Sequence, residues 1–232
     1  MRRPGLWSIC LTLFGLVLML YLGVWQLQRK AWKDGLIAEM AAGITAPPLS
    51  LAKHLDELQK LNYRAVRLQG RFLHKLEAYL GPRVHQGQAG LHVLTPFQMR
   101  DGPVVLVNRG WIPPNRRDPT TRTTGQVTGD VTLDGVLRSD LQQGPWTPDY
   151  DAKADQWFWY DISGISQNRK IDLISAVVQA DSTDIPGGLP IGGVAQPKLK
   201  NDHLQYALTW FSLSVVLLIV FIVSHRRKGD EA

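Results

Sequence analysis

Two long stretches without a charged side chain, Leu6 to Leu27 and Leu204 to Val223, bracket this sequence and leave little freedom in how it can fold. An α-helix rises ~1.5 Å per residue, so about 20 apolar residues cross the hydrocarbon core of a bilayer. Both stretches are therefore predicted to be transmembrane helices. The first starts after Arg2 and Arg3, as a secretory signal does, but its apolar run is too long for one. Its far end, Gly23-Val24-Trp25-Gln26-Leu27-Gln28-Arg29-Lys30, has no small-x-small cleavage site, so a retained anchor is expected. Two spans put both termini on one side. Arg2 and Arg3 before the first span, and Arg226, Arg227 and Lys228 after the second, assign that side to the cytoplasm; Arg29, Lys30 and Lys33 oppose this locally. A connecting region this long translocates largely regardless of charge. The expected organisation is a cytoplasmic start at 1–5, spans at 6–27 and 204–223, a domain on the outer side at 28–203, and a cytoplasmic tail at 224–232.

The formal net charge of +6 invites a nucleic-acid reading, but residues 30–200 carry only +3 of it. The rest sits beside the spans, where membrane orientation accounts for it. No basic stripe with interleaved aromatics occurs, so nucleic acid is not an expected partner. The one cysteine, Cys10, lies inside the first span, which leaves the domain no disulfide and no thiolate metal site. Copper delivery, which favours paired thiolates or thioethers for Cu(I), is disfavoured on the same ground.

Between the spans the pattern changes period. Trp25 to Met40 is expected to continue the first helix, which Ala46-Pro47-Pro48 ends. Leu51 to Leu61 reads as a short amphipathic helix. Tyr63 to Phe72, Leu76 to Leu80, Leu91 to Met99, Val104 to Val107, Val131 to Leu137, Gln156 to Tyr160 and Ile174 to Ala180 read as short strands, with turns at Gly81-Pro82 and Asp101-Gly102-Pro103. Glycine and proline recur between them, and Ile185 to Gly193 reads as a link back to the membrane. The fold class expected is membrane α plus β: two transmembrane helices flanking a mainly antiparallel β-barrel or sandwich domain with short helices.

No phosphate loop, Gly-x-Ser-x-Gly elbow or His-Glu-x-x-His helix is found, and the carboxylates are scattered, so nothing in the sequence argues for an enzyme. Of the six histidines, His203 stands apart because it opens the second span. At 100° per residue, His203, Ala207, Trp210 and Ser214 share a helical face, with Tyr206 adjacent. An imidazole above a small residue and a large aromatic can hold a planar macrocycle, and imidazole is an ordinary axial ligand of haem iron. The plainer alternative makes Tyr206 and Trp210 interfacial belt residues and His203 a helix cap. On the first span Trp25, Arg29 and Trp32 share a face, where Arg29 suits a propionate, a lipid phosphate or simple snorkelling. Gly15 and Gly23, two turns apart, allow a close helix approach. Leu106 to Pro113 ends an apolar strand in Arg109-Gly110-Trp111; Gly110 is expected to make a turn under Trp111, with Arg109 either in a buried ion pair or on an anionic ligand.

Taken in order, several segments resemble the surfeit-locus family of cytochrome oxidase assembly factors. They are Leu22 to Arg29 with Trp32-Lys33, Tyr63-Arg64 with Gly70, Gly90 to Phe97, Leu106 to Pro113, Pro190 to Gly193, and Asn201 to Trp210. The resemblance implies a non-catalytic role in assembling haem-copper terminal oxidases, chiefly cytochrome c oxidase, with haem a held transiently and passed to the catalytic subunit. It makes His203 the leading iron ligand and His92 the second candidate, with Trp25, Arg29, Tyr206 and Trp210 around the ring. The implied partners are membrane lipid, the oxidase catalytic subunit and a haem a synthase. A tethered scaffold for oxidase subunits, carrying no cofactor, is the competing reading. Position 91 is Leu where the family is expected to have an aromatic, and Gln156 to Asp161 keeps an aromatic cluster without a histidine. The chain enters its first span almost at once, without an organelle-targeting extension, which implies a bacterial inner-membrane protein with a periplasmic domain.

Overall fold

Strand β2 (Ala65–Phe72) pairs on both sides, and this closes the sheet into a barrel. The computed structural model describes residues 5–195 and 200–227. It comprises two compact units, one made of the long terminal helices and the other spanning Met40–Pro197.

In chain order the elements are α1 (Leu6–Thr45), β1 (Leu49–Ser50), β2, β3 (Ala78–His85), β4 (Gln88–Met99), β5 (Val104–Ile112), β6 (Val131–Arg138), β7 (Gln156–Trp157), α2 (Ile162–Arg169), β8 (Leu173–Ala180) and α3 (His203–Arg227). The sheet runs β1-β2-β6-β8-β5-β4-β3-β7, and a further β2–β4 pairing joins Gly70–Phe72 to Phe97–Met99. Five strands thus form the closed barrel, with β3 and β7 added outside β4. Antiparallel pairs dominate, but β8 runs parallel to β5.

Alternation builds the core. Along β2 Val66 and Leu68 point inward while Arg67 and Gln69 face solvent, and they meet Phe97, Val105, Val107, Leu137 and Val178. A second cluster under α2 gathers Leu80, Leu94, Leu106, Trp157 and Ile165.

Several expectations are corrected here. Leu51 to Leu61 forms short 3-10 segments and not one continuous helix, because the chain leaves helical geometry at His54, where φ is −133°, and again at Glu57, where φ is −117°. The Gly81-Pro82 pair makes no turn; β3 runs through it with a register shift between Leu80 and Arg83. Gly110 likewise does not end its strand, which continues to Ile112. Tyr160 lies beyond the two-residue β7. Residues 185–193 are not a free link, since Ile191 bridges to Trp111 in both directions. The unforeseen α2 is capped by Asp161, whose carboxylate accepts from Gly164 N.

In the helical unit, α1 and α3 run antiparallel and are long and apolar enough to cross a membrane. At ~1.5 Å per residue the 40 residues of α1 reach about 60 Å, well past a hydrocarbon core. The proline pair ends α1 as expected. Gly23 is buried beneath the ring of Phe211, and Gly15 faces Leu217. Across the seam Ala207 and Ser214 are buried, with His203 and Trp210 half-buried on the same stripe. This 4-3-4 spacing is that of a left-handed helix pair. Arg2, Arg3 and Lys228, which carry much of the orientation argument, lie outside the described residues.

Candidate functional site

The helix pair fastens near the start of α3 through polar groups. His203 Nδ1 lies 2.7 Å from Gln26 Oε1 on α1. An amide oxygen only accepts, so Nδ1 carries a proton and donates it; in the neutral tautomer with this bond, Nε2 holds the lone pair. Asn201 Nδ2 donates to Asp34 Oδ1 at 2.7 Å and to the Lys30 carbonyl at 3.2 Å, while Lys30 Nζ meets Asp34 at 2.5 Å. His203 therefore does not cap its own helix; its side chain crosses to the neighbouring one. Gln26, a polar residue within an apolar run, had a sequence signal: at such depth an amide needs a partner.

These contacts set the register, and the register decides which aromatics meet. On antiparallel helices, residues one position before the seam on either helix fall on the same flank of the pair. Trp25 and Arg29 precede the seam residues Gln26 and Lys30, and Tyr206 precedes Ala207. All three lie on one side, beside His203. Tyr206 is 58% exposed and Trp25 45%, so this flank is an open aromatic surface. Trp210 stands between it and the seam. Arg29 lies over the Trp32 ring, 4.0 Å from its centroid. The seam itself is filled by Phe211 and Ala207, so the open surface lies on the flank and not between the helices.

His92 belongs to the barrel unit and is buried on β4. Its Nδ1 accepts from Asn108 Nδ2 at 3.1 Å, and the same amide nitrogen donates to Tyr160 Oη at 2.7 Å. Burial first, then the charges of Arg83 and His85, push the His92 pKa down to about 4. The ring is neutral at ordinary pH, and its lone pair is already used.

The densest charge in the barrel surrounds Glu77, which the sequence did not single out. Arg122 donates to Glu77 Oε2 at 2.5 Å, and Arg109, Arg122 and Gln126 reach Oε1 at 3.2–3.3 Å. Arg109 is 1% exposed, stacks on Phe72 and donates to the Gly125 carbonyl. Of the two roles considered for it, the buried ion pair is the one found. Burial raises the Glu77 pKa, but hydrogen bonds from His74 and Arg122 and the charges of Arg122 and Arg109 outweigh it and hold it at about 2. Among the described residues no cluster of metal-ligating side chains occurs.

Comparison with known proteins matches residues 13–215 to the SURF1 family. A SURF1-like protein of Monosiga brevicollis is 34% identical over 98% of this chain and 89% of its own length. Surfeit locus protein 1 of Takifugu rubripes is 36% identical, covering 89% of this chain and 92% of that one. The human Surfeit locus protein 1 is 36% identical over 89% of this chain and 71% of its own.

Proposed function

The chain belongs to the SURF1 family, and from that premise we propose a membrane-anchored assembly factor for a haem-copper terminal oxidase, chiefly cytochrome c oxidase, that carries haem a as cargo. The setting of this reading is a bacterial inner membrane, with both termini cytoplasmic and the barrel periplasmic. Its partners are the oxidase catalytic subunit and a haem a synthase.

One observation carries the site. The bond from His203 Nδ1 to Gln26 leaves Nε2, which has no hydrogen bond among the described residues, as the nitrogen that would take the iron beside an aromatic flank. Histidines that bind metal commonly have the other ring nitrogen held in this way, which fixes tautomer and orientation. Trp25, Tyr206 and Trp210 offer ring faces for a macrocycle, and Arg29 suits a propionate. His92 is less suited, because Asn108 occupies its lone pair. A single imidazole on a lipid-facing flank also suits release, since cargo leaves sideways without parting the helices.

The test is the absorption spectrum of the full chain, purified in mild detergent from cells that make haem a. His203→Ala is expected to lose the haem bands, with bound haem reduced about tenfold or more. A colourless parent protein would overturn the haem reading. Gln26→Leu is expected to weaken haem retention about tenfold. Without haem, it should move the proton of His203 away from Nδ1 in a nitrogen-15 NMR spectrum; an unchanged tautomer would remove Gln26 from the mechanism.

The second reading, a cofactor-free scaffold, draws on the same bond. With Asn201 and Asp34, His203–Gln26 suffices as a fastener of two helices. Full oxidase assembly by His203→Ala would favour it.

A further inference from the structure

A cavity of about 250 Å³ opens in the barrel unit between the first half of β6 and the segment after β8. Its walls are apolar, from Val127, Val131, Leu133, Ile185 and Pro186. Phe72 and the almost fully buried Arg109 also line it, and the Arg109 Nε has no hydrogen-bond partner among the described residues. Three carboxylates stand around the opening. Asp134 is held by Arg67 through two bonds of 2.6 Å. Among the described residues Asp181 and Asp184 have no cationic partner, and the only hydrogen bond to either carboxylate is from Thr183 N to Asp181 Oδ1 at 3.1 Å.

Each part restricts the occupant. A cavity of about 150 Å³ takes benzene, so this one admits a single aromatic side chain. An aromatic ring suits the interior better than an alkyl chain, because the Phe72 ring lines it and aromatic pairs gain from edge-to-face or offset packing. An acidic ligand is disfavoured: Arg109 already has Glu77, and Asp181 and Asp184 stand at the entry. We propose that this cavity docks an aromatic side chain flanked by lysine or arginine in a segment of a partner polypeptide, with Asp181 and Asp184 receiving the basic groups. The inference does not depend on haem, and nothing at the helix pair bears on it.

The experiment is calorimetric titration of the full chain, in a neutral detergent, with three capped tripeptides. Lys-Phe-Lys is expected to bind saturably, with Lys-Ala-Lys and Glu-Phe-Glu each at least about tenfold weaker, a difference of ~1.4 kcal/mol or more. Equal binding of Lys-Ala-Lys would remove the aromatic pocket, and equal binding of Glu-Phe-Glu would remove the acidic rim. Asp184→Lys, at an exposed position with no hydrogen bond to lose, should weaken Lys-Phe-Lys several-fold while leaving the melting temperature unchanged. Undiminished binding by that variant, or no saturable binding of Lys-Phe-Lys to the parent, overturns the proposal.

Discussion

Glu77→Gln is expected to lower the melting temperature of the barrel by about 10 °C or more at neutral pH. The substitution keeps the shape and removes the one anion that Arg109 and Arg122 share. Both arginines are nearly without solvent contact, so two charges would remain buried with only carbonyl, hydroxyl and ring partners. Breaking one side of such a cluster costs about 3–5 kcal/mol, whatever the net worth of the intact cluster. The same group predicts a pH dependence. Its folded pKa of about 2 lies below the ordinary 4.5, so its contribution is complete above about pH 4.5 and is lost as pH falls towards 2. The amount at stake is about 3 kcal/mol. Circular-dichroism melts of parent and variant between pH 7 and pH 2 would check both statements. A variant melting within about 2 °C of the parent, with the same acid slope, would show that Glu77 does not hold the arginines in place.

Gly110→Ala is the second large effect expected, at about 2–4 kcal/mol. Gly110 has φ of +115°, which L side chains rarely adopt, and a Cβ there would fall on the carbonyl of Ile191. That carbonyl cannot move freely, because it accepts from Trp111 N at 2.9 Å while Ile191 N donates to Trp111 O at 2.8 Å. The alanine therefore breaks a backbone bridge as well as straining its own residue. Gly87, with φ of +79° and nothing within reach of an added Cβ, is the control. Its alanine variant should lose only the conformational part, about 1 kcal/mol. Hydrogen exchange at the Trp111 amide would follow the bridge. Equal melting temperatures for the two variants would show that the Ile191 contact does not matter.

The parts of the fold readable in advance were those where period and charge speak locally. The two long apolar helices, the proline stop after α1 and the alternating β2 all followed from near neighbours in the sequence. Where the reading failed, the deciding contact was remote. Gly110 and Gly81-Pro82 look like turns, yet each lies in a strand whose irregularity is absorbed by a partner: Ile191 for the first, a bulge against β4 for the second. The α2 helix escaped because only Ile162 and Ile165 are buried, too few to establish a period. Of the site, the faces of each helix were visible from spacing alone. That Trp25 and Tyr206 share a flank was not, since it depends on the register set by Gln26 with His203 and Asn201 with Asp34. Glu77 could not be found at all, as its arginines lie 32 and 45 positions away.

The position of β8 between β6 and β5 bears on how this protein is made. Leu173–Ala180 is the last barrel strand to leave the ribosome, yet it joins strands completed long before. Until it arrives, β5 and β6 keep bare hydrogen-bonding edges, the kind that attract other chains. The long-range pairings also delay closure, because loop entropy has to be overcome before they form. A chain cut short before Leu173 would therefore lack the strand that joins β5 to β6, and the barrel could not close.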